Sequence, residues 1–289
     1  MSNLEGIHGR RVLVTGANSG IGFITALELA RSGGDVIMVC RDETRGHAAL
    51  EMIRKHVPGA QIQLMLCDLS EQSSIREFSR HFYSNFGHLD VLVNNAGAYL
   101  AEFGVTTDGL ERTFALNHMG YFLMTQALLQ ALRRGTDPRI INVSSEGHRL
   151  GRLDFDDLQW TRRRYRPVRA YCDSKLMNIL FTRHLARRLQ QENITVNALH
   201  PGTIRSGFAV SQPGAFGALV RLGHLFLSSP EKGARTSLFL ASDPSVAETS
   251  GQYFVRCRVA RPSGAARNEA HAERLWALSS ALVRHPFDQ

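Results

Sequence analysis

The residues best suited to chemistry in this sequence are Tyr171 and Lys175, which stand four positions apart. In a helix, side chains at this spacing project from one face, so the lysine ammonium can lie near the tyrosine ring. A nearby positive charge favours the phenolate, and we therefore expect the tyrosine pKa to fall from its usual value of about 10. The pair could then exchange a proton with a substrate. Because the spacing by itself is common on helix surfaces, its weight depends on the motifs around it.

A glycine-rich turn near the start of the chain indicates a phosphate-binding site. Residues 11–14 form a short apolar run typical of a buried strand, and residues 23–29 continue with helical spacing. Between them stand Gly16, Gly20 and Gly22. Glycines let the backbone approach a ligand, and a helix N-terminus offers free N–H groups. The spacing differs from the common Gly-x-Gly-x-x-Gly fingerprint, and a tight turn without a ligand is the alternative.

Three further motifs carry polar groups in apolar surroundings. Residues 89–97 have the pattern of a buried strand that ends in Asn-Asn-Ala-Gly, and its asparagines could bond to the backbone of neighbouring strands. Residues 140–145 form a strand that ends in two serines. Asn117 lies inside a long apolar helix. A buried asparagine is costly unless it is hydrogen-bonded, so Asn117 predicts a polar network.

In these motifs the chain resembles the short-chain dehydrogenase/reductase family over nearly its whole length, from about Gly9 to Phe254. The resemblance rests on the order of the glycine turn, Asp68, residues 94–97, Asn117, Ser145, Tyr171 with Lys175, and Pro201-Gly202. Within the family, the chain is most similar to the retinol dehydrogenase-like branch, at residues 39–42, 154–159, 170–175 and 200–202. The resemblance implies hydride transfer between a nicotinamide cofactor and a carbonyl or alcohol, and a lipophilic small molecule is the expected substrate.

The resemblance also implies a catalytic set of Asn117, Ser145, Tyr171 and Lys175. Tyr171 would donate a proton to the carbonyl oxygen, and Ser145 would bond to the same oxygen and orient it. Lys175 would lower the tyrosine pKa and bond to the nicotinamide ribose, and Asn117 would hold a water that links Lys175 to solvent. Ser144 is the alternative to Ser145, but the family pattern favours the second serine.

The expected cofactor contacts follow the same motifs: Gly16, Asn18, Ser19, Gly20, Ile21, Gly22, Arg41, Asp68, Leu69, Asn95, Ala96, Gly97, Tyr171, Lys175, Pro201, Gly202 and Thr203. A carboxylate at the end of the second strand would bond to the ribose hydroxyls of NAD and repel a 2′-phosphate. Cys40 stands there, and Arg41 follows it. Because an arginine fork suits a phosphate, we expect NADP(H) rather than NAD(H). Asp42 is the competing residue, and Asp68 is expected at the adenine amino group.

The alternation of elements predicts one α/β domain over residues 1–289, a doubly wound (Rossmann) parallel sheet of about seven strands with helices on both faces. The predicted strands are Arg11–Thr15, Asp35–Cys40, Ile62–Cys67, Val91–Asn94, Arg139–Val143, Thr195–Leu199 and Gln252–Val255. The predicted helices lie near Gly20–Ser32, Thr44–His56, Glu71–Phe86, Gly109–Arg133, Ala170–Gln191, Pro230–Ala241 and Asn268–Val283. The motifs all fall at strand ends or on the following helices, where a ligand crevice is expected.

Outside this scaffold, the apolar segment near 206–229 is predicted to be a lid over an apolar substrate. A helix packed on the core and a segment in transient membrane contact are the alternatives. The C-terminal helix near 268–283 could close one side of the pocket. Related enzymes pair through the helices that contain Asn117 and Tyr171, so a homodimer is possible, although the C-terminal extension could block a second interface.

Composition narrows the other possibilities. A net charge of +8 is compatible with nucleic acid, but no nucleic-acid motif accompanies it, and we expect no such partner. No apolar run of membrane-spanning length and no signal segment is evident, so we expect a cytoplasmic protein with free thiols and no transmembrane anchor. His118, His148 and His200 lack paired ligand spacing, so they predict packing or solvated roles and no metal site. A non-catalytic nucleotide-binding or regulatory module is the second functional hypothesis.

Overall fold

The computed structural model describes residues 4–202 and 229–284. Within these ranges the strands are β1 Arg11–Thr15, β2 Asp35–Cys40, β3 Ile62–Leu66, β4 Val91–Asn94, β5 Arg139–Val143, β6 Thr195–His200, β7 Tyr253–Val255 and β8 Arg258–Val259. The helices are α1 Gly20–Arg31, α2 Glu43–His56, α3 Gln72–Asn85, α4 Gly120–Arg133, α5 Pro167–Arg188, α6 Pro230–Ser242 and α7 Glu269–Ala281. Most boundaries agree with the predicted ones to within two or three residues.

The strands form one sheet in the order β3-β2-β1-β4-β5-β6-β7-β8. All neighbouring pairs are parallel except the β7–β8 pair. Val14 in β1 pairs with Met38 in β2 on one side and with Val93 in β4 on the other, so the order in which strands are added to the sheet reverses between β1 and β4. This confirms the predicted doubly wound sheet, with one short antiparallel strand added at its edge. The reversal opens a crevice at the carboxyl ends of β1 and β4.

Helices cover both faces of the sheet, and each face has its own apolar core. Leu13 in β1 belongs to the core beneath α3, α4 and α5, together with Phe122 and Leu180. Its neighbours Val12 and Val14 belong to the core beneath α1, α2 and α6. Because successive side chains of a strand point to opposite faces, a strand buried on both sides is apolar at nearly every position. This is why an unbroken apolar run predicted the strands correctly.

The region around Asn117 differs from the continuous helix predicted over Gly109–Arg133. An α-helical turn at Arg112–Phe114 is followed by a π-helical segment, Ala115–Met119, and only then by α4. The start is set by Glu111, whose carboxylate accepts hydrogen bonds from the N–H groups of Thr113 and Phe114, both at 2.7 Å. Insertions of this kind occur often at functional sites.

The edge hairpin that adds β8 was not predicted. Arg256 and Cys257 form its turn, with φ angles of 51° and 61°. A two-residue hairpin turn with positive φ at both positions is usually recognised by Asn-Gly or Asp-Gly. Arginine and cysteine do not carry that signal, because the left-handed conformation is unfavourable for residues with a Cβ atom.

The C-terminal helix α7 packs on α5 and reaches α4. The Trp276 ring lies 4.9 Å from that of Phe122 and is stacked on that of Phe181 at 6.1 Å. The predicted lid near 206–229 falls almost wholly on residues that lie outside the described part of the chain. No helix among the described residues is long and apolar enough to span a bilayer.

Candidate active site

Helix α5 brings Tyr171 and Lys175 onto one face, next to the end of β5. The Lys175 ammonium nitrogen lies 5.7 Å from the centre of the Tyr171 ring and equally far from that of Tyr121. It donates a hydrogen bond to the Val143 carbonyl at 3.1 Å. The lysine is buried, with 3% of its surface exposed. The predicted proximity of the two side chains is therefore confirmed.

The pKa values of this pair differ from the expectation. Burial raises the pKa of Tyr171 to about 12, and a hydrogen bond with the Ser145 side chain only partly opposes that rise. Burial lowers the pKa of Lys175 to about 8. The predicted fall in the Tyr171 pKa is therefore wrong for the protein by itself. Loss of hydration of the phenolate raises the pKa more than the hydrogen bond with Ser145 lowers it.

The two serines at the end of β5 point in different directions. The Ser144 hydroxyl is buried and donates a hydrogen bond to the Lys175 carbonyl at 2.7 Å, which ties the strand to α5. The Ser145 hydroxyl accepts a hydrogen bond from the Gly147 N–H at 3.1 Å and is also hydrogen-bonded to the Tyr171 side chain. Ser145 therefore shares the open side of the site with the tyrosine, whereas Ser144 serves the scaffold.

Asn117 lies in the π-helical segment and forms the polar network that the sequence predicts. Its side-chain oxygen accepts a hydrogen bond from the Ala98 N–H at 2.9 Å, and its amide donates to the Ala98 carbonyl at 2.9 Å and the Ser174 hydroxyl at 3.1 Å. Gly97 is packed tightly here, since a Cβ atom on it would lie 3.2 Å from the Lys175 nitrogen. The network thus holds the loop after β4 against Lys175.

The glycine turn is compact toward the protein and open on its outer side. A Cβ atom on Gly16 would lie 2.9 Å from the Ala96 Cα, and one on Gly22 would lie 2.3 Å from the Gly16 carbonyl oxygen. Gly20 has a φ of 56°, yet a Cβ atom there would meet no atom within 4 Å. Ser19 precedes α1 without capping it through its side chain. Open space beside a helix N-terminus fits a phosphate group.

Thr15 and Asn94 hold the ends of β1, β4 and β5 together, and sequence reasoning missed Thr15. Its hydroxyl accepts hydrogen bonds from the N–H groups of Asn95 at 2.9 Å and Ala96 at 3.0 Å. Asn95 donates to the Thr15 carbonyl at 2.8 Å, as predicted. Asn94 instead bonds to side chains, including Asn142 at 2.9 Å. A threonine directly before the glycine turn was the available signal.

Arg41 and Asp42, the two residues that could determine the choice between NADP(H) and NAD(H), have different surroundings. Arg41 is 74% exposed and lies 3.4 Å from Asp68 across the end of the sheet. The Asp42 carboxylate accepts a hydrogen bond from the Arg45 N–H at 2.9 Å and so caps α2. Cys40 is buried. Arg41 is therefore an exposed cation directly after β2, whereas Asp42 already has a structural role.

Most of the other residues predicted to contact the cofactor lie directly after strands of the sheet. Leu69 is buried after β3, and Pro201 and Gly202 follow β6, where Gly202 has a φ of 92°. Asn18 and Ile21 lie in the glycine turn and the first turn of α1. Thr203 lies outside the described residues.

The three histidines have distinct environments. His118 is buried among aromatic rings, where its Nε2 lies 2.8 Å from the Ser279 hydroxyl, and burial lowers its pKa to about 3. His148 and His200 contact the backbone around Ser145 instead. No cluster of three or more potential metal ligands occurs among the residues that the structure describes. All four cysteines lie in the described ranges and are free thiols.

Comparisons with known proteins agree with this geometry. The family model of short chain dehydrogenases matches residues 10–213. Human retinol dehydrogenase 13 is 43% identical over 282 residues, which covers 96% of this chain and 85% of that protein. Human retinol dehydrogenase 11 is 42% identical over 280 residues, covering 97% of this chain and 87% of that protein.

Solved structures of similar proteins share this fold. A crystal structure of an uncharacterised protein from Mycobacterium paratuberculosis superposes with a TM-score of 0.81 at 34% identity, covering 100% of this chain and 98% of that one. A short chain dehydrogenase from Shigella flexneri, solved with NADP, superposes with a TM-score of 0.70 at 25% identity, covering 89% of this chain and 100% of that one. The chain therefore belongs to the short-chain dehydrogenase/reductase family of oxidoreductases and is retinol dehydrogenase-like.

Proposed function

We propose that this enzyme is an NADP(H)-dependent oxidoreductase that transfers hydride between nicotinamide and a lipophilic carbonyl or alcohol. The observation that carries the proposal is the hydrogen bond between the Tyr171 and Ser145 side chains, with the Lys175 ammonium 5.7 Å from the tyrosine ring. These groups meet at the end of β5, on the same edge of the sheet as the open glycine turn. An acid, an orienting hydroxyl and a buried cation beside a phosphate cradle suit carbonyl reduction.

In the reductive direction, bound NADPH would supply the hydride to the carbonyl carbon. Tyr171 stays protonated at neutral pH, since its pKa is about 12, and donates its proton to the carbonyl oxygen. The Ser145 hydroxyl bonds to the same oxygen and orients it. The Lys175 charge stabilises the phenolate that remains. Asn117 supports this arrangement by holding the loop after β4 in place.

The preference for NADP(H) rests on Arg41. Its side chain is largely exposed after β2, whereas Asp42 is engaged as the cap of α2. A guanidinium group can bond to a 2′-phosphate through two N–H groups. The Shigella flexneri relative solved with NADP adds support. Glycines of the α1 turn would hold the diphosphate, and Asp68 would lie near the adenine.

The lipophilic substrate is inferred from two features. The two human relatives described above are named retinol dehydrogenases, so a long apolar alcohol or aldehyde is the first class to test. The Tyr99 ring lies 6.4 Å from the Tyr171 ring and provides an aromatic surface next to the proton donor. The lid role of the segment near 206–229, a cytoplasmic location and a homodimer stay predictions of the sequence.

The test is turnover of a carbonyl panel, including retinoid, steroid and short aliphatic aldehydes or ketones, with NADPH and NADH in parallel. Tyr171→Phe should lower turnover by roughly 10²–10⁴-fold, the usual contribution of a positioned acid, while NADPH still binds. Tyr83→Phe is the matched control, because its hydroxyl bonds to Ala127, away from the site. If the wild-type protein binds NADPH, as measured by nicotinamide fluorescence, but turns over no substrate, the non-catalytic module would be favoured instead.

A further inference from the structure

His148 lies directly behind Ser145 and is completely buried. It belongs to the short 3-10 helix Glu146–Leu150 that begins immediately after the serine. Its Nδ1 atom lies 2.7 Å from the Ser145 carbonyl oxygen. On the other side of the ring, Nε2 lies 3.1 Å from the Ser263 N–H. The imidazole therefore bridges the backbone of Ser145 and the segment that leads into α7.

These two contacts determine the state of the ring. A carbonyl oxygen can only accept a hydrogen bond, so Nδ1 must carry a proton. A backbone N–H can only donate, so Nε2 must be unprotonated. The ring is consequently the neutral Nδ1–H tautomer. Burial lowers the pKa of His148, which favours this neutral form.

The surroundings hold the ring in one orientation. The His148 ring packs edge-on against Tyr253 in β7, with ring centres 5.0 Å apart. The Tyr253 hydroxyl donates to the Glu146 carboxylate at 2.8 Å. The Glu146 N–H in turn contacts Nδ1 of His200 at 3.3 Å. The backbone at 145–146 is thus attached to β6, β7 and the C-terminal segment through polar side chains.

We propose that His148 is a positioning residue for the reaction: its Nδ1–H holds the Ser145 carbonyl and thereby directs the Ser145 hydroxyl toward the substrate oxygen. This inference rests on the proposed function. Without the imidazole bond, the Ser145 carbonyl keeps only the weaker restraint of the His148 backbone N–H at 3.1 Å, and the hydroxyl keeps its contact with the Gly147 N–H. A small displacement of an orienting group can cost a large factor in rate, on the order of 10²-fold for about 1 Å.

Two conservative variants separate the two ends of the ring. The amide nitrogen of His148→Asn takes the place of Nδ1, so this variant keeps the bond to Ser145 and loses the one to Ser263. The longer His148→Gln places its amide near Nε2, so it keeps the Ser263 contact and loses the one to Ser145. We expect kcat within about threefold of wild type for the Asn variant and a loss of roughly 10- to 100-fold for the Gln variant. NADPH affinity should be unchanged in both. Tyr83→Phe, which loses a hydroxyl bonded to the Ala127 carbonyl away from the site, is the control and should leave kcat unchanged.

A double-mutant cycle with Ser145→Ala identifies the path of the effect. If His148 acts through the Ser145 hydroxyl, His148→Gln should lower kcat little further once that hydroxyl is absent. Independent, multiplicative losses would overturn the proposal, and so would equal losses in the Asn and Gln variants. Absence of wild-type turnover across the panel would overturn the proposed function itself, whereas full activity of His148→Gln would overturn only the positioning role.

A measurement on the unmodified protein tests the tautomer directly, whether or not the Gln variant folds. Nitrogen-15 chemical shifts of labelled protein distinguish the Nδ1–H tautomer from the Nε2–H tautomer and from imidazolium. We expect the His148 ring to be Nδ1–H at pH 7. Either other form would remove the donor and acceptor pattern on which the proposal depends.

Discussion

The Lys175 ammonium lies 5.7 Å from the centre of the Tyr171 ring, and its hydrogen bond goes to the Val143 carbonyl at 3.1 Å. Burial moves the two pKa values apart: that of Tyr171 rises to about 12, whereas that of Lys175 falls to about 8. At neutral pH the protein by itself therefore holds a protonated tyrosine beside a charged lysine. This is the state that carbonyl reduction requires.

The pH dependence of reduction should report Lys175. A lowered pKa means that the lysine loses its charge near pH 8 rather than near 10.5, so the positive charge that stabilises the phenolate disappears above about pH 8. We expect kcat/KM for carbonyl reduction to be level below this pH and to fall above it, since kcat/KM reflects groups of the free enzyme. Lys175→Met should be slow at every pH and lack this limb. A level profile up to pH 10 would contradict the assignment.

The two serines should respond differently to removal of the hydroxyl. Ser145→Ala loses the group bonded to Tyr171, and we expect kcat to fall by roughly 10²–10³-fold, as for other oxyanion donors. Ser144→Ala loses the bond to the Lys175 carbonyl, so its main effect should be a loss of about 1 kcal/mol of unfolding free energy. Steady-state kinetics and thermal unfolding of both variants check this. The opposite order of the kcat losses would assign the orienting role to Ser144.

Cofactor preference should depend on Arg41. A charged hydrogen bond to phosphate contributes about 1.5–3 kcal/mol, so Arg41→Ala should weaken NADP(H) binding by roughly 10- to 150-fold. NAD(H) lacks the 2′-phosphate, and its affinity should barely change. The difference should shrink at high salt, because the side chain is exposed.

The matched control for this test is Asp42→Ala. It removes the cap of α2 and should cost about 1 kcal/mol of stability without changing the cofactor preference. Titration of nicotinamide fluorescence with each cofactor measures both variants. Equal weakening of both cofactors by Arg41→Ala, or a wild type that prefers NAD(H), would show that another group sets the choice.

Trp276 should be important for stability and for the oligomeric state. Its ring covers Phe122 and Phe181 on α4 and α5, the helices through which a homodimer was considered. Trp276→Ala should lower the free energy of unfolding by about 3 kcal/mol, at the lower end for large aromatic truncations, because the ring is partly exposed. The uncovered apolar face should also increase self-association in size-exclusion chromatography. Glu273→Ala, an exposed change on the same helix, should alter neither, and an unchanged melting temperature for Trp276→Ala would contradict the packing role.

The sequence by itself determined the sheet and the order of the site motifs. Strands buried on both faces are apolar at successive positions, so β1 and β4 are visible as unbroken apolar runs. The phosphate turn is visible because only glycine fits where a Cβ atom on Gly16 or Gly22 would collide with the neighbouring backbone. The near-invariable handedness of parallel crossovers then brings the strand ends to one edge, where the motifs meet.

Only the tertiary structure decided the directions and charge states of individual side chains. Ser144 and Ser145 are identical in type and adjacent, and the packing of α5 against β5 determines which one reaches Tyr171. The Tyr171 pKa rises rather than falls because desolvation depends on every residue packed around the ring, not on a lysine four positions away. The contacts of His148, for which the sequence predicted only a packing or solvated role, were not predicted for the same reason. Its partner Ser263 is 115 residues distant in the chain, and a contact of that range leaves no local pattern in the sequence.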